Sequence, residues 1–360
     1  MQDATISVSK DGLDVGPTSG LMRRYLLALA AAILLGAPSI LAALVFVCND
    51  GGARHDFFSE ITKDGDANWY RNYGGRQISQ IQDQDIFYSN VGHSIAAAKA
   101  ADIVFLGPSF VSYAVDRDTL EASAALSRFK TYNMAFVGVR GGEFSRRVIK
   151  RWGIRPALWV INADDQFVHF FSNELDLTLG PEKMPIAAVE RNRMRGWLTV
   201  IGRNLRWRME DSYAAYQQGS YSLKPPFFGL YRNVDNGDIL LDANPAYRAS
   251  DNKPLRLARD GNCHTNAAVI DYARKFLAEV GGNVVLTLVP HSQSCVQQAR
   301  ELAEALNVEL IAPPFDGMTT VDGGGHLDRN GARIFTSYFT REVVKTAAFK
   351  RAFAKVGASN

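Results

Sequence analysis

Short apolar runs alternate with longer amphipathic stretches along much of the chain after about residue 99. Three of the runs are rich in β-branched residues and end at a polar or turn residue; they span residues 102–107, 157–162 and 283–290. This pattern is typical of strands that are buried on both faces of a sheet. A shorter apolar run at residues 308–313 predicts one further strand.

The stretches between these runs have the apolar spacing of helices. Helices are predicted at residues 94–101, 118–129, 143–153, 265–281 and 296–307. Strands that alternate with helices favour an α/β fold, with a doubly wound parallel sheet between two helical layers in a three-layer αβα arrangement. The alternation breaks between about residues 170 and 260, which are interpreted as an insertion.

An apolar segment near the amino terminus predicts a membrane anchor. Residues 25–47 are 23 consecutive positions without a charged side chain, enough for a helix to cross about 30 Å of hydrocarbon. Arg23 and Arg24 precede the segment, and the positive-inside rule then places residues 1–24 in the cytoplasm and the main domain outside the inner membrane, in the periplasm. A cleaved signal peptide is the alternative interpretation.

These features predict a single-pass protein with four parts. A cytoplasmic tail (1–24) precedes the transmembrane anchor (25–47), a linker and lead-in segment (48–98), and an extracytoplasmic α/β domain (99–350) that contains the insertion.

Two stretches of the insertion suggest binding surfaces. Residues 191–209 carry six arginines and apolar residues at helical spacing, which indicates either a basic amphipathic helix on a membrane or partner, or a helix packed on the domain. The aromatic residues within 221–232 could stack on sugar rings, or pack in the fold.

Composition narrows the possible functions. The chain is 47% hydrophobic, and its net charge is only +3, so a nucleic-acid partner is not expected. Cys263 and Cys295 lie in the part assigned to the oxidising side of the membrane, and they are either a disulfide or two buried thiols. No cluster of His and Cys has metal-ligand spacing, and neither a metal nor another cofactor is predicted.

Ser109 is the candidate nucleophile. It follows the run 102–107 after a Gly-Pro pair, and reactive groups of an open parallel sheet collect beyond the carboxyl ends of its strands. A nucleophilic serine needs a histidine base that a carboxylate orients. His326 stands in a glycine-rich loop before a helix that Asp328 is predicted to cap, and Asp322 is four residues earlier.

The other histidines receive plainer interpretations. His264 and His291 are interpreted as loop residues. His291 follows a predicted strand and could line the same cleft, as could Asp165 and His169, which follow the strand at 157–162.

Taken in order, these blocks resemble those of the SGNH hydrolase superfamily, the GDSL-like esterases and acyltransferases. The blocks that contain the serine and the histidine are GPS at 107–109 and DGGGH at 322–326. The segment HLDRNGARIFT at 326–336 is similar to a motif of membrane-anchored members, and TYNMAFVG at 131–138 is similar to the family's second block. The resemblance covers about residues 100 to 345 apart from the insertion, and its strength lies in the order and spacing of the blocks.

The resemblance implies a set of site residues. They are a catalytic triad of Ser109, His326 and Asp322, and an oxyanion hole that includes the backbone amides of Ser109 and Gly138. The chain departs from the family pattern at three places: Pro108 replaces an aspartate, Asp322 is four rather than three residues before His326, and Asp164 occupies the position of the oxyanion-hole asparagine. Asp164 and Asn162 are therefore both candidates for that role.

The resemblance also implies a function. Anchored members with this layout are similar to polysaccharide O-acetyltransferases and to the D-alanyl transfer protein of teichoic acid synthesis. The expected activity is O-acetylation of a cell-surface or exported polysaccharide, with a membrane-bound O-acyltransferase as partner. An esterase or deacetylase with the same triad and a catalytically inactive assembly or binding subunit are the alternatives.

Overall fold

A computed structural model describes the main domain in most of its length. The described residues are 62–63, 66–74, 86–87, 94–136, 142–164, 229–240, 252–257 and 263–354, with single positions elsewhere. The chain divides into two units, residues 1–60 and 61–360, and every element discussed below lies in the second.

Several predicted features fall outside the described residues. They are the tail, most of the anchor at 25–47, the arginine-rich stretch 191–209, Gly138, Asp165 and His169. Within the part of the chain that is described, no helix combines the length and apolar character needed to cross a bilayer.

The described elements comprise strands and helices in alternation. The strands are β1 (Thr62–Lys63), β2 (Asp66–Gly74), β3 (Ile103–Leu106), β4 (Thr131–Asn133), β5 (Leu158–Asn162), β6 (Gly229–Asn233), β7 (Ile239–Leu240), β8 (Lys253–Pro254), β9 (Asn283–Thr287), β10 (Leu310–Ile311), β11 (Thr319–Val321) and β12 (His326–Leu327). The helices are α1 (Ser94–Ala100), α2 (Ser109–Ala114), α3 (Arg117–Ala122), α4 (Gly142–Trp152), α5 (Ala267–Val280), α6 (Val296–Leu306), α7 (Arg329–Val343) and α8 (Ala347–Phe353).

The centre of the fold is a five-stranded parallel sheet in the order β10-β9-β5-β3-β4. Every residue of β3, β4 and β5 is buried, which explains why β3 and β5 appear in the sequence as continuous apolar runs. The prediction of an α/β fold with a parallel sheet is confirmed.

Helices pack around this sheet in an arrangement that is compatible with three αβα layers. On one face, Phe105 and Val160 belong to the same buried cluster as Phe335 and Phe339 of α7 and Phe349 of α8. The alternate residues of the strands, which include Val104 and Trp159, are also buried. The helices α4 and α5 pack against each other.

The strand order fixes where loops converge. The chain runs from β3 to β4 on one side and then to β5 on the other side of β3, so the order reverses between β3 and β5. Ligands of open α/β sheets bind beyond the carboxyl ends of the strands at such a reversal. The residues that follow β3 and β5 are therefore brought together at this edge.

A second, antiparallel sheet was not predicted from sequence. It has the order β1-β2-β6-β7 and joins the lead-in segment to the end of the insertion through pairs such as Trp69 with Asn233. The buried Arg232 of β6 donates hydrogen bonds to the carbonyl oxygens of Ala135 (2.7 Å) and Asn133 (2.6 Å). The lead-in segment and the insertion, which are far apart in the sequence, thus contribute strands to one sheet, and that sheet lies beside β4.

Some predicted boundaries were wrong. The helix predicted at 118–129 is only the six residues of α3, because the chain turns at Ser123 and so brings Leu126 and Phe129 into the core. The strand predicted at 308–313 is only Leu310–Ile311.

Candidate active site

Ser109 lies at a tight junction between β3 and α2. The strand ends at Leu106, Pro108 takes an extended conformation as the helix N-cap, and Ser109 is the first residue of α2. A Cβ atom on Gly107 would lie 2.4 Å from Cγ2 of Val111 and 3.0 Å from Cβ of Asn162. Glycine is therefore required where β3, α2 and the end of β5 meet.

His326 is presented by a β-hairpin. Val321 of β11 pairs with His326 of β12, and residues 322–325 form the loop between them. Asp322, Gly323 and Gly324 have φ angles of 53°, 67° and 99°, in the left-handed region that glycine tolerates best. The additional glycine of the DGGGH block is thus accommodated as part of a tight turn.

Asp328 holds the base of this hairpin. Its buried carboxylate caps α7, as predicted, by accepting a hydrogen bond from the Gly331 amide at 2.8 Å. It also accepts hydrogen bonds from Thr319 Oγ1 (2.7 Å) and Asn252 Nδ2 (2.9 Å). One carboxylate therefore joins the helix, β11 and the segment that contains β8.

The three predicted catalytic side chains are brought together, although more than 200 positions separate the serine from the other two. His326 Nε2 lies 2.9 Å from Ser109 Oγ, and His326 Nδ1 lies 3.1 Å from Asp322 Oδ2. With the proton on Nδ1, the ring donates to Asp322 and its Nε2 accepts from the Ser109 hydroxyl. This is the geometry of a serine nucleophile with its base and orienting acid.

Aromatic residues of α2 enclose the His326 ring. Tyr113 stacks on it with ring centroids 4.1 Å apart, and Phe110 contacts it at 5.5 Å. Phe110 and Tyr113 are three positions apart and so share one face of the helix that begins with Ser109. Sequence motifs do not reveal the role of these residues, since it depends on the contact between α2 and the hairpin.

This environment lowers the pKa of His326 below its ordinary value of 6.5. Burial has the largest effect and disfavours the charged ring, while the hydrogen bond and negative charge of Asp322 act in the opposite direction. A positive charge on His291 would lower the pKa further. The neutral imidazole, the form that can accept a proton, is therefore maintained to lower pH than in an isolated histidine.

A second histidine and carboxylate pair lies beside the first. His291 Nε2 is 2.8 Å from Asp164 Oδ2, and the backbone N–H of Gln293 donates to Nδ1 of the same ring at 3.3 Å. The ring stacks on Phe110 with centroids 3.9 Å apart. His291 lies in the loop after β9, as interpreted, and the structure adds that it is only 4% exposed and contacts Phe110 at the wall of the site.

Asn162 and Asp164, the two candidates for the oxyanion-hole residue, differ in their hydrogen-bond partners. The Asp164 carboxylate is directed at His291. Asn162 is fully buried, and its Oδ1 accepts a hydrogen bond from the Val289 amide at 2.9 Å. Its Nδ2 has no hydrogen-bond partner among the described residues, and its Cβ approaches Gly107, two residues before Ser109.

The remaining predicted residues within the described part are the two cysteines and His264. Cys263 and Cys295 form a disulfide with Cα atoms 6.1 Å apart, which connects the segment before α5 to the start of α6. His264 is exposed and lies 2.6 Å from Glu301.

Comparisons with protein-family models, with curated proteins and with solved structures find no match to this chain. The chemical interpretation of the site accordingly depends on its own geometry and on the motifs within the sequence. Ser109 has a hydrogen-bonded base, that base has a carboxylate partner, and the group stands at the reversal point of a parallel sheet. This arrangement can support nucleophilic attack on a carbonyl carbon.

Proposed function

We propose that the protein is a membrane-anchored serine acyltransferase of the SGNH type, which transfers an acyl group, expected to be acetyl, to a hydroxyl of a cell-surface or exported polysaccharide. The observation that carries the proposal is the continuous hydrogen-bonded series from Ser109 Oγ through His326 to Asp322. The order of the sequence blocks and the parallel sheet are consistent with an SGNH-like fold.

The reaction proceeds in two displacements. In the first, His326 Nε2 takes the proton of Ser109, Oγ attacks the acyl carbonyl carbon, and the departing group of the donor receives the proton from His326. In the second, His326 takes the proton of an acceptor hydroxyl, whose oxygen attacks the acyl-serine and releases Ser109, to which the proton returns. Asp322 holds the ring in the required tautomer and stabilises its transient positive charge.

The negative oxygen of each tetrahedral intermediate needs hydrogen-bond donors. The amide of Ser109 is one candidate, because the first N–H groups of a helix have no partner within it. We assign Asn162 Nδ2 as a second donor, because it is a buried N–H group without a partner in the described structure. Asp164 is unsuited to this role, since its carboxylate carries negative charge and binds His291. Gly138 remains a candidate from sequence.

The anchor is predicted from the sequence, and the partner is implied by the resemblance to anchored members of the family. A segment like residues 25–47 would hold the site at the outer face of the inner membrane, where a membrane-bound O-acyltransferase could deliver acyl groups from the cytoplasm. Tethering raises the effective concentration of the site near that source.

Two alternatives stay open. A carbohydrate esterase or deacetylase would use the same triad and pass the acyl group to water. A non-catalytic assembly subunit would keep the fold but not the reaction, and this alternative is weakened by a serine and histidine at hydrogen-bond distance.

One assay separates these functions. The full-length protein in mild detergent is given 4-nitrophenyl acetate with and without a mixture of neutral and acidic oligosaccharides, and release of nitrophenol is compared with acetylation of the sugars. A transferase acetylates the sugar, an esterase releases only acetate, and an assembly subunit does neither. Ser109→Ala should abolish turnover, while Ser112→Ala, the same change at a buried serine of α2, should retain it. Equal turnover in both variants would exclude catalysis by Ser109.

A further inference from the structure

A pocket of about 610 Å³ adjoins the acid of the triad. Asp322, Gly323 and Gly324 of the hairpin loop line it, and so does the segment around β8, the strand that pairs with β11. Its volume lies within the range of pockets that bind small molecules. The His326 ring lies between the pocket and the nucleophile. Ser109 bonds to one nitrogen of this ring, and Asp322, which lines the pocket, bonds to the other.

Two positive charges face this pocket without a partner. Lys253 and Arg256 are exposed lining residues, and the described part of the chain gives neither side chain a hydrogen bond or an ion pair. The negative charge in the lining, Asp322, is already hydrogen-bonded to His326. Unpaired cations in a concave surface favour an anionic ligand, and the planar guanidinium of arginine suits a carboxylate in particular.

We propose that this pocket binds a carboxylate-bearing sugar of the acceptor, so that the substrate is an acidic polysaccharide such as a polyuronate. The inference rests on the proposed function, because it needs the acceptor to be a glycan. Lys253 and Arg256 bind the carboxylate of one sugar, and the hydroxyl of a neighbouring sugar then reaches Ser109 past His326. The hydroxyl of Ser292, on the wall beside Gly324, is available to a sugar hydroxyl.

The concave shape favours a glycan over a membrane surface. The cations lie in a pocket formed with Gly323, Gly324 and Ser292, which a flat array of lipid headgroups does not enter, whereas single sugars of a flexible chain can. Binding through these charges should weaken as salt concentration rises.

Binding is measured on full-length Ser109→Ala protein in mild detergent, where turnover cannot interfere. The probes are hexagalacturonate and its carboxyl-reduced counterpart, which has the same length and no charge. We expect the acid to bind at least about tenfold more tightly, and the double variant Lys253→Gln/Arg256→Gln to lose that preference. The matched control is Lys275→Gln/Arg300→Gln, which removes two exposed charges of α5 and α6 and should bind as before.

The outcomes separate this inference from the proposed function. If nitrophenyl acetate turnover depends on Ser109 but the two probes bind equally, the acidic acceptor is wrong and the acyltransferase stands. If acid binding requires Lys253 and Arg256 but no turnover depends on Ser109, the pocket stands and the catalytic proposal fails. If these two residues instead control binding to phosphatidylglycerol vesicles and not to the acid, the pocket is a membrane contact and the inference is overturned.

Discussion

The site contains two pairs of a histidine and a carboxylate, His326 with Asp322 and His291 with Asp164. The Phe110 ring contacts both histidine rings, but the surroundings of the two pairs differ. His326 is bonded to Ser109 and to Asp322, whose side chain is 53% exposed. His291 is buried, the side chain of Asp164 is 12% exposed, and the second ring nitrogen of His291 accepts a hydrogen bond from the backbone. The first pair keeps one nitrogen for a reactive hydroxyl, whereas the second uses both nitrogens within the fold.

The difference shows that a histidine beside a carboxylate does not by itself define a catalytic base. What distinguishes His326 is the hydroxyl at its free nitrogen and a location where substrate can enter. Through Phe110, His291 supports the wall of the site, so we assign it a positioning role.

The largest effect is expected at the catalytic pair. His326→Gln should lower kcat/KM for nitrophenyl acetate by at least about 10³-fold, because the serine loses its base. The control His264→Gln changes an exposed histidine that also lies beside a carboxylate and should leave the rate unchanged. Comparable losses in both variants would show that the effect does not come from the site.

The second-largest loss of rate is expected when Asn162, the proposed oxyanion donor, is changed. Asn162→Asp keeps an acceptor for the Val289 amide but removes the N–H donor, and kcat should fall about 10²-fold with little change in KM. Asp164→Asn should lower kcat by less than about tenfold. A loss of less than about tenfold in Asn162→Asp would exclude Asn162 as an oxyanion donor. Melting temperatures of both variants identify losses that arise from unfolding.

The second pair should affect stability more than rate. His291→Gln removes a buried ring from Asp164 and from Phe110, and the free energy of unfolding should fall by about 1–3 kcal/mol. The rate at neutral pH should fall by less than about tenfold. Denaturant unfolding and ester turnover measure the two quantities separately. A rate loss as large as that of His326→Gln would make His291 catalytic and contradict the comparison.

The smallest effects are shifts of the pH profile. The rate requires neutral His326, which exists above its pKa, so activity should fall with decreasing pH only below the ordinary value of 6.5. His291→Gln removes an influence that lowers this pKa, and the acid limb should move to higher pH. Asp322→Asn removes two influences that raise it, and the limb should move to lower pH. Shifts in the same direction for both variants would contradict this electrostatic account.

Much of the central sheet could be predicted from the sequence. The strands β3 and β5 are buried at every residue and β9 at its last three, and burial on both faces of a sheet produces an apolar run that is easy to recognise. By contrast, β4 and β12 are three and two residues long. Such short strands carry no periodicity and form only because neighbouring strands are already in place.

The catalytic residues were predictable for a different reason. Ser109 follows an apolar run, and His326 stands between three glycines and a helix that begins after Asp328. Both patterns can be recognised within a few residues of sequence. The Asp164–His291 pair was not predictable as a pair, since its members are 127 positions apart and the block that contains Asp164 does not indicate a histidine partner. The stacking of Phe110 and Tyr113 on His326 similarly depends on contacts between elements far apart in sequence.

The central claim, that Ser109 is the nucleophile, is tested most directly by trapping its acyl ester. The full-length protein is mixed with an activated acetyl ester, quenched in acid within the first turnovers, digested and analysed by mass spectrometry. The account predicts one acetyl group on the peptide that contains Ser109, which disappears in Ser109→Ala and persists in Ser112→Ala. Turnover of the ester with no acetyl group on Ser109, or the same labelling in Ser109→Ala, would contradict it.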